Sequence, residues 1–189
     1  MKIKVEVSAR HIHLTRQDID ILFGKGYELK SLRKLSQSDD FAAEEKVLLK
    51  TEKSKLSLRV VGKERKYSQV EISMTDAINL GIDIPLRISG EIENVPKFKI
   101  KGPAGETEIP IIIAKRHLHI SSKKALELDL RSGDKVSVKI EGERRLTFKS
   151  IIVRVAEDYT LACHIDTDEG NSCGFGKICG EGELLYSKS

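Results

Sequence analysis

Apolar and polar residues alternate along much of this chain with a period of two, the pattern of strands that bury one face. The clearest runs are Met1 to Val7, Val47-Leu48-Leu49, Leu56 to Val61, Gln69-Val70-Glu71-Ile72, Lys97 to Ile100, Ile111-Ile112-Ile113, Lys135 to Ile140, Leu146-Thr147-Phe148 and Ile151 to Val155. All are short and are separated by Gly, Asp and Lys turns, a density that predicts sandwich or barrel sheets. Short helices interrupt them. Thr15-Arg16-Gln17-Asp18 is a capping-box pattern that opens a helix over Asp18 to Phe23, stopped by Gly24. Thr75 to Gly81 and Ser122 to Leu128 predict two more one- or two-turn helices. Lys30 to Asp40 is polar and reads as a surface loop.

Composition narrows the class. The 189 residues suffice for one large domain or two small ones. There is no tryptophan and aromatics are only 5%, so the core must come from Ile, Leu and Val, which favours strands. The 33 basic residues barely exceed the 29 acidic ones, and they are scattered without interleaved aromatics. That argues against nucleic-acid binding and suits an anionic small molecule. No apolar run approaches a membrane span. Three cysteines, an odd number, argue against a disulfide framework and for a reducing cytoplasm. Cys173 and Cys179, in a Gly-rich tail, read as free thiols or as a metal or redox pair.

The five histidines are not scattered. Arg10-His11-Ile12-His13-Leu14-Thr15 recurs as Arg116-His117-Leu118-His119-Ile120-Ser121, and His164 follows in Cys163-His164-Ile165-Asp166. Residues i and i+2 of a strand share a face, so each motif offers two imidazoles on one side. Neutral imidazole is the commonest ligand of zinc and its neighbours. Three histidines with an open position make a catalytic site, and five with a carboxylate could hold two ions. Each H-x-H strand also runs at once into Thr or Ser and a helix start. That predicts two barrel-like halves of related design, edged by short helices. A linear boundary falls near Glu93 to Pro96, although the two motifs must meet if they share a site.

Other candidates carry a bland reading beside the functional one. Glu71, in an apolar strand, faces solvent or is a further ligand. Asp166 and Asp168 either share the face of His164 on a continuing strand or form a solvated acidic turn. Arg10 and Arg116 face away from the imidazoles and read as partners in structural ion pairs. Arg65 could bind phosphate. No P-loop, G-x-G-x-x-G or G-x-S-x-G motif is present, so nucleotide-triphosphate and serine-hydrolase chemistry has no support.

Nearly the whole chain resembles the PduL-type phosphotransacylases, or phosphate propanoyltransferases. The resemblance rests on Ser8 to Leu14, Leu35-Ser36-Gln37 with Phe41-Ala42-Ala43-Glu44-Glu45, Gln69 to Ser73, Arg87-Ile88-Ser89-Gly90, Ala114 to His119 and His164 to Glu169, in that order. It implies conversion of acyl-CoA (propanoyl or acetyl) and phosphate to acyl phosphate and CoA. It implies one zinc on His11, His13 and Glu71, and a second on His117, His119 and His164. Arg65 matches the phosphate-contacting arginine and Ser89 a serine lining the site. The implied fold is a pair of β-barrels capped by short helices, 1–9 with 115–189 and 10–114, with the metal site between them. A homodimer is implied as well. The departures are Ser38 where proline is common, the Cys- and Gly-rich stretch from Gly170 to Cys179, and a start directly at the first strand, which argues for the cytoplasm and against encapsulation in a microcompartment. The alternatives are a metal-dependent thioester or phosphoester hydrolase, and a non-catalytic metal-binding β-barrel. A cupin would continue the first H-x-H strand to a glutamate; here Thr15 to Asp18 opens a helix instead.

Overall fold

The computed structural model describes residues 1–37, 40–176 and 179–186, so Ser38 and the Lys177-Ile178 part of the tail lie outside the described residues. In chain order come β1 (Lys2–Ser8), β2 (His11–His13), α1 (Arg16–Phe23), β3 (Ser31–Lys34), β4 (Phe41–Lys50), β5 (Lys55–Gly62) and β6 (Gln69–Ile72). Then follow α2 (Met74–Leu80), β7 (Leu86–Arg87), β8 (Lys97–Lys101), β9 (Glu106–Ala114), β10 (His117–Ser121) and α3 (Ser122–Glu127). The last elements are β11 (Lys135–Ile140), β12 (Leu146–Ala156), β13 (Ala162–Asp166), α4 (Thr167–Ser172) and β14 (Gly180–Leu185).

The chain divides into two compact units, Met1–Ala9 with Lys115–Ser189, and Arg10–Ala114. The linear boundary expected near Glu93 to Pro96 is therefore wrong. Those residues join β7 to β8 inside the second unit, where Pro96 O accepts from Ile111 N at 3.2 Å. Turn-rich composition marks a loop, and it cannot say which side of the loop a sheet closes on.

Each unit closes a ring of strands, which leaves no sheet edge in the ring. In the discontinuous unit the order is β1-β13-β10-β12-β11-β14 and back to β1. In the continuous unit it is β9-β6-β2-β5-β4-β8 and back to β9, with β3 on β4 and β7 on β9 outside the ring. The directions agree step by step: parallel, antiparallel, parallel, then three antiparallel pairings. The two barrels thus repeat one design, with β10 equivalent to β2, β13 to β6 and β1 to β9. The chain connects them crosswise: β1 ends one barrel and leads into β2 of the other, as β9 leads into β10.

Alternation along each strand sorts side chains into the barrel or onto its outer face. Ile12, Leu14, Val60, Val70, Ile72, Ile111 and Ile113 belong to one core, and Val5, Leu118, Ile120, Val153, Cys163 and Ile165 to the other. The histidines fall between these positions, on the outer face.

The helices repeat too. Thr15 and Ser121 cap α1 and α3, accepting from Asp18 N and Lys124 N, whereas Ser73 and Asp166 cap α2 and α4 directly after β6 and β13. The sequence reading missed α4. Asp166 and Glu169 form its capping box, so the strand stops at Asp166 and Asp168 does not share the face of His164. Two further corrections follow. The expected loop from Lys30 to Asp40 contains β3, a fully exposed strand with no apolar alternation to betray it. The two runs at Leu146 and Ile151 are one strand, β12, passing through Ser150 at φ 56°.

Arg10 and Arg116 make matching ion pairs. Arg10 Nη2 lies 2.9 Å from Asp76 Oδ1 in α2, and Arg116 Nη1 lies 2.5 Å from Glu169 Oε1 in α4. Both acids occupy the third helical position. Each arginine therefore ties the start of an H-x-H strand to the helix after the neighbouring strand, the structural role expected of it.

Candidate metal centres

In the continuous unit, β2 and β6 run antiparallel with His11 opposite Glu71 and His13 opposite Gln69. Cross-strand partners share a face, so two imidazoles and a carboxylate converge. His11 Nε2 lies 3.2 Å from His13 Nε2 and 3.8 Å from Glu71 Oε2. In the other unit, β10 and β13 repeat the register with His117 opposite His164. The potential ligand atoms of His117, His119 and His164 lie within 4.8 Å of one another, as do those of His11, His13 and Glu71. His164 thus stands where Glu71 stands in the repeat.

The donor sets fit a divalent transition metal. Two ligands on a tetrahedral zinc at about 2.0–2.1 Å are roughly 3.3–3.4 Å apart, close to the His11–His13 spacing. Burial pushes the His13 imidazole down to about 3, helped by the adjacent His11 and Arg65 and opposed by Glu71. His13 is consequently neutral, the form that binds metal. His117 Nδ1 lies 2.9 Å from the Lys115 carbonyl oxygen, which can only accept, so Nδ1 carries a proton and Nε2 is the nitrogen left to bind a metal. Tyr159 stacks on His119, with ring centroids 4.1 Å apart, and fixes that ring's plane. Nothing in the sequence pattern singled out Tyr159.

Gln69 is fully buried and organises the first centre. Its amide nitrogen donates to Glu71 Oε1 and, at 2.7 Å, to Ser89 Oγ, while its oxygen accepts from Gly90 N at 2.9 Å. Ser89 is thereby joined to the Glu71 carboxylate through one side chain. The identity of Gln69 gave no warning of this, because only the fold brings the Ser89-Gly90 turn to β6. Arg65 is placed by its backbone N–H, which donates to Leu14 O at 2.9 Å, one residue beyond His13. Its Nη2 donates to both oxygens of Asp40, at 2.8 and 2.7 Å. Burial raises the Asp40 carboxyl, with Arg65 pulling the other way. Nothing in the sequence marks Asp40, which falls at the end of the polar stretch Lys30 to Asp40.

Three cysteines complete the inventory of soft ligands, and none joins either centre. Cys163 points into a barrel core, where burial pushes its thiol up to about 12, Cys173 is buried, and Cys179 is exposed. No described helix is long and apolar enough to cross a membrane.

Twin barrels of one strand order, each carrying a trio of imidazole or carboxylate ligands at the same register, define the class. The sequence profile of the phosphate propanoyltransferases matches residues 4–176. A phosphate propanoyltransferase of Thermotoga maritima is 44% identical over 186 residues, covering 96% of this chain and 87% of that protein. One from Escherichia fergusonii is 46% identical over 193 residues, covering 99% and 90%, and one from Clostridioides difficile is 40% identical over 178 residues, covering 93% and 85%. The chain belongs to the phosphate propanoyltransferase family and is an acyltransferase.

Proposed function

We propose that this protein is a zinc-dependent phosphate acyltransferase interconverting acyl-CoA and phosphate with acyl phosphate and CoA, with propanoyl-CoA or acetyl-CoA as the acyl donor. The observation that carries the zinc reading is the repeated trio: His11, His13 and Glu71 would hold one ion, and His117, His119 and His164 a second. Zinc would supply a site for the CoA sulfur as thiolate and positive charge to offset the oxyanion that develops at the thioester carbonyl. Gln69, donating to Glu71 and to Ser89 through one amide nitrogen, would orient Glu71 as a ligand and hold Ser89 nearby.

Arg65 is the phosphate-binding residue of this reading. Its guanidinium is bound to Asp40 through a single nitrogen and stands partly exposed, so a dianion can take the remaining donors. All five histidines belong to the two trios, which leaves none to activate a serine or cysteine. Phosphate therefore attacks the thioester directly. A phosphate oxygen forms the new bond to the carbonyl carbon, the C–S bond breaks, and CoA leaves with the electron pair as thiolate. The working form in this reading is a cytoplasmic homodimer.

Acyl phosphate and CoA supplied to zinc-quantified protein should yield acyl-CoA. That activity should disappear with a chelator and return with added zinc. Activity indifferent to chelation would refute the zinc-dependent reading. Exchange of labelled phosphate into acyl phosphate without CoA would reveal an acyl-enzyme and refute direct attack.

A further inference from the structure

The two trios differ in what lies on the next strand. Parallel pairing puts Ile112 of β9 beside Glu71, and Glu6 of β1 beside His164. Since β1 is equivalent to β9 and His164 to Glu71, Glu6 and Ile112 are the same position in the repeat. Ile112 is fully buried and has no ligating atom. Glu6 turns a carboxylate to His164: its Oε2 lies 3.4 Å from His164 Nε2, with the side chain only 12% exposed. Its Oε1 is held by Lys4 Nζ at 2.5 Å, two residues earlier on the same strand face, and that hydrogen bond raises the Lys4 amine. The carboxylate is thus anchored on one oxygen and faces His164 with the other.

We propose that Glu6 is the fourth protein ligand of the His117–His119–His164 centre and binds its cation through Oε2. The 3.4 Å separation from His164 Nε2 is about the edge of a tetrahedral zinc shell. Charge points the same way. Two histidines and Glu71 around a dication leave one net positive charge, whereas three histidines alone would leave two. Glu6 brings the second centre to the same balance, with the carboxylate moved over by one strand. A centre with four protein ligands is closed, whereas the His11–His13–Glu71 centre, flanked by Ile112, keeps an open position for substrate. The inference rests on the metal reading proposed above.

Full-length protein in two backgrounds separates the centres: His11→Ala retains only the one beside Glu6, and His117→Ala only the other. Zinc affinity is measured by competition with a chromogenic chelator, cobalt(II) binding by the visible spectrum, and folding by far-ultraviolet circular dichroism. Glu6→Gln in the His11→Ala background should weaken zinc binding about 10- to 100-fold. It should also change the cobalt spectrum and make it respond to added azide. In the His117→Ala background it should change neither. Glu6→Asp keeps the charge but is shorter by one methylene, and it too should weaken zinc in the first background only. Unchanged affinity and spectrum in the first background would reduce the Glu6–His164 contact to an ordinary ion pair and overturn the inference; so would equal losses in both backgrounds. Failure of the His11→Ala protein to bind any metal would instead overturn the metal reading of this centre.

Discussion

Gln69→Leu tests the organisation of the first centre most directly. Leucine nearly fills the volume of glutamine, so little cavity is left. The loss is polar. Gly90 N–H loses its acceptor, Glu71 loses a donor, and Ser89 Oγ loses its link to the carboxylate. Gly90 N–H and the Glu71 carboxylate stay where the fold holds them, and Ser89, half-buried, can turn to water. At about 1–3 kcal/mol for each hydrogen bond lost by a group that the fold keeps from water, those two groups together cost up to about 2–6 kcal/mol. A lost orienting partner costs a ligand about 10- to 100-fold in metal affinity, roughly 1.4–2.7 kcal/mol at 1.36 kcal/mol per decade. Two measurements apply: the urea midpoint of the whole chain, and zinc affinity in the His117→Ala background. Both should fall. In the His11→Ala background zinc affinity should hold, because the position equivalent to Gln69 is Ala162, which has no amide. A Gln69→Leu protein with unchanged midpoint and unchanged zinc affinity at the Glu71 centre would refute the reasoning.

Four further outcomes are expected. His164→Ala should lose one equivalent of zinc and nearly all activity while far-ultraviolet circular dichroism is preserved; two equivalents retained would remove His164 from the ligands. Arg65→Ala should raise KM for phosphate at least about tenfold, as expected for loss of a charge-assisted contact worth about 1.5–3 kcal/mol, with little change in KM for CoA; an equal change in both would show a general distortion. Gly182→Ala should destabilise the protein by about 1–3 kcal/mol through overpacking, because an added Cβ would sit 2.4 Å from Val138 Cγ1 and 2.9 Å from Ile140 Cδ1; an unchanged urea midpoint would contradict this. A thiol reagent should label Cys179 quickly and Cys163 and Cys173 only after denaturation, since those two are buried; rapid labelling of a second thiol in native protein would show that a core opens.

The alternation of apolar residues located most strands because the barrels bury one face of each and the period is two. It failed where burial did not drive the strand. β3 is exposed throughout, β7 has two residues, and β14, Gly180–Leu185, alternates glycine and glutamate before its leucines. Gly182 is there because Val138, Ile140 and Val5 leave no room for a side chain, a constraint set by the far side of the barrel. Cap residues marked α1, α2 and α3 to within a turn, and they missed α4, whose Thr167 to Ser172 segment is polar and short.

The sequence by itself determined the local chemistry. Two Arg-His-x-His motifs on alternating strands put each pair of imidazoles on one face, away from the core, because strand periodicity allows nothing else. The repeated helix start after each motif marked two related halves. What it left open was pairing across strands distant in sequence. Family resemblance grouped Glu71 with His11 and His164 with His117; the tertiary structure set them opposite one another in register, and it alone gave Gln69 to Glu71 and Ser89, paired Arg65 with Asp40, and brought Glu6 beside His164. The physical reason is that strand periodicity fixes a face, while register and ring order, fixed by backbone hydrogen bonds between remote segments, decide which faces meet.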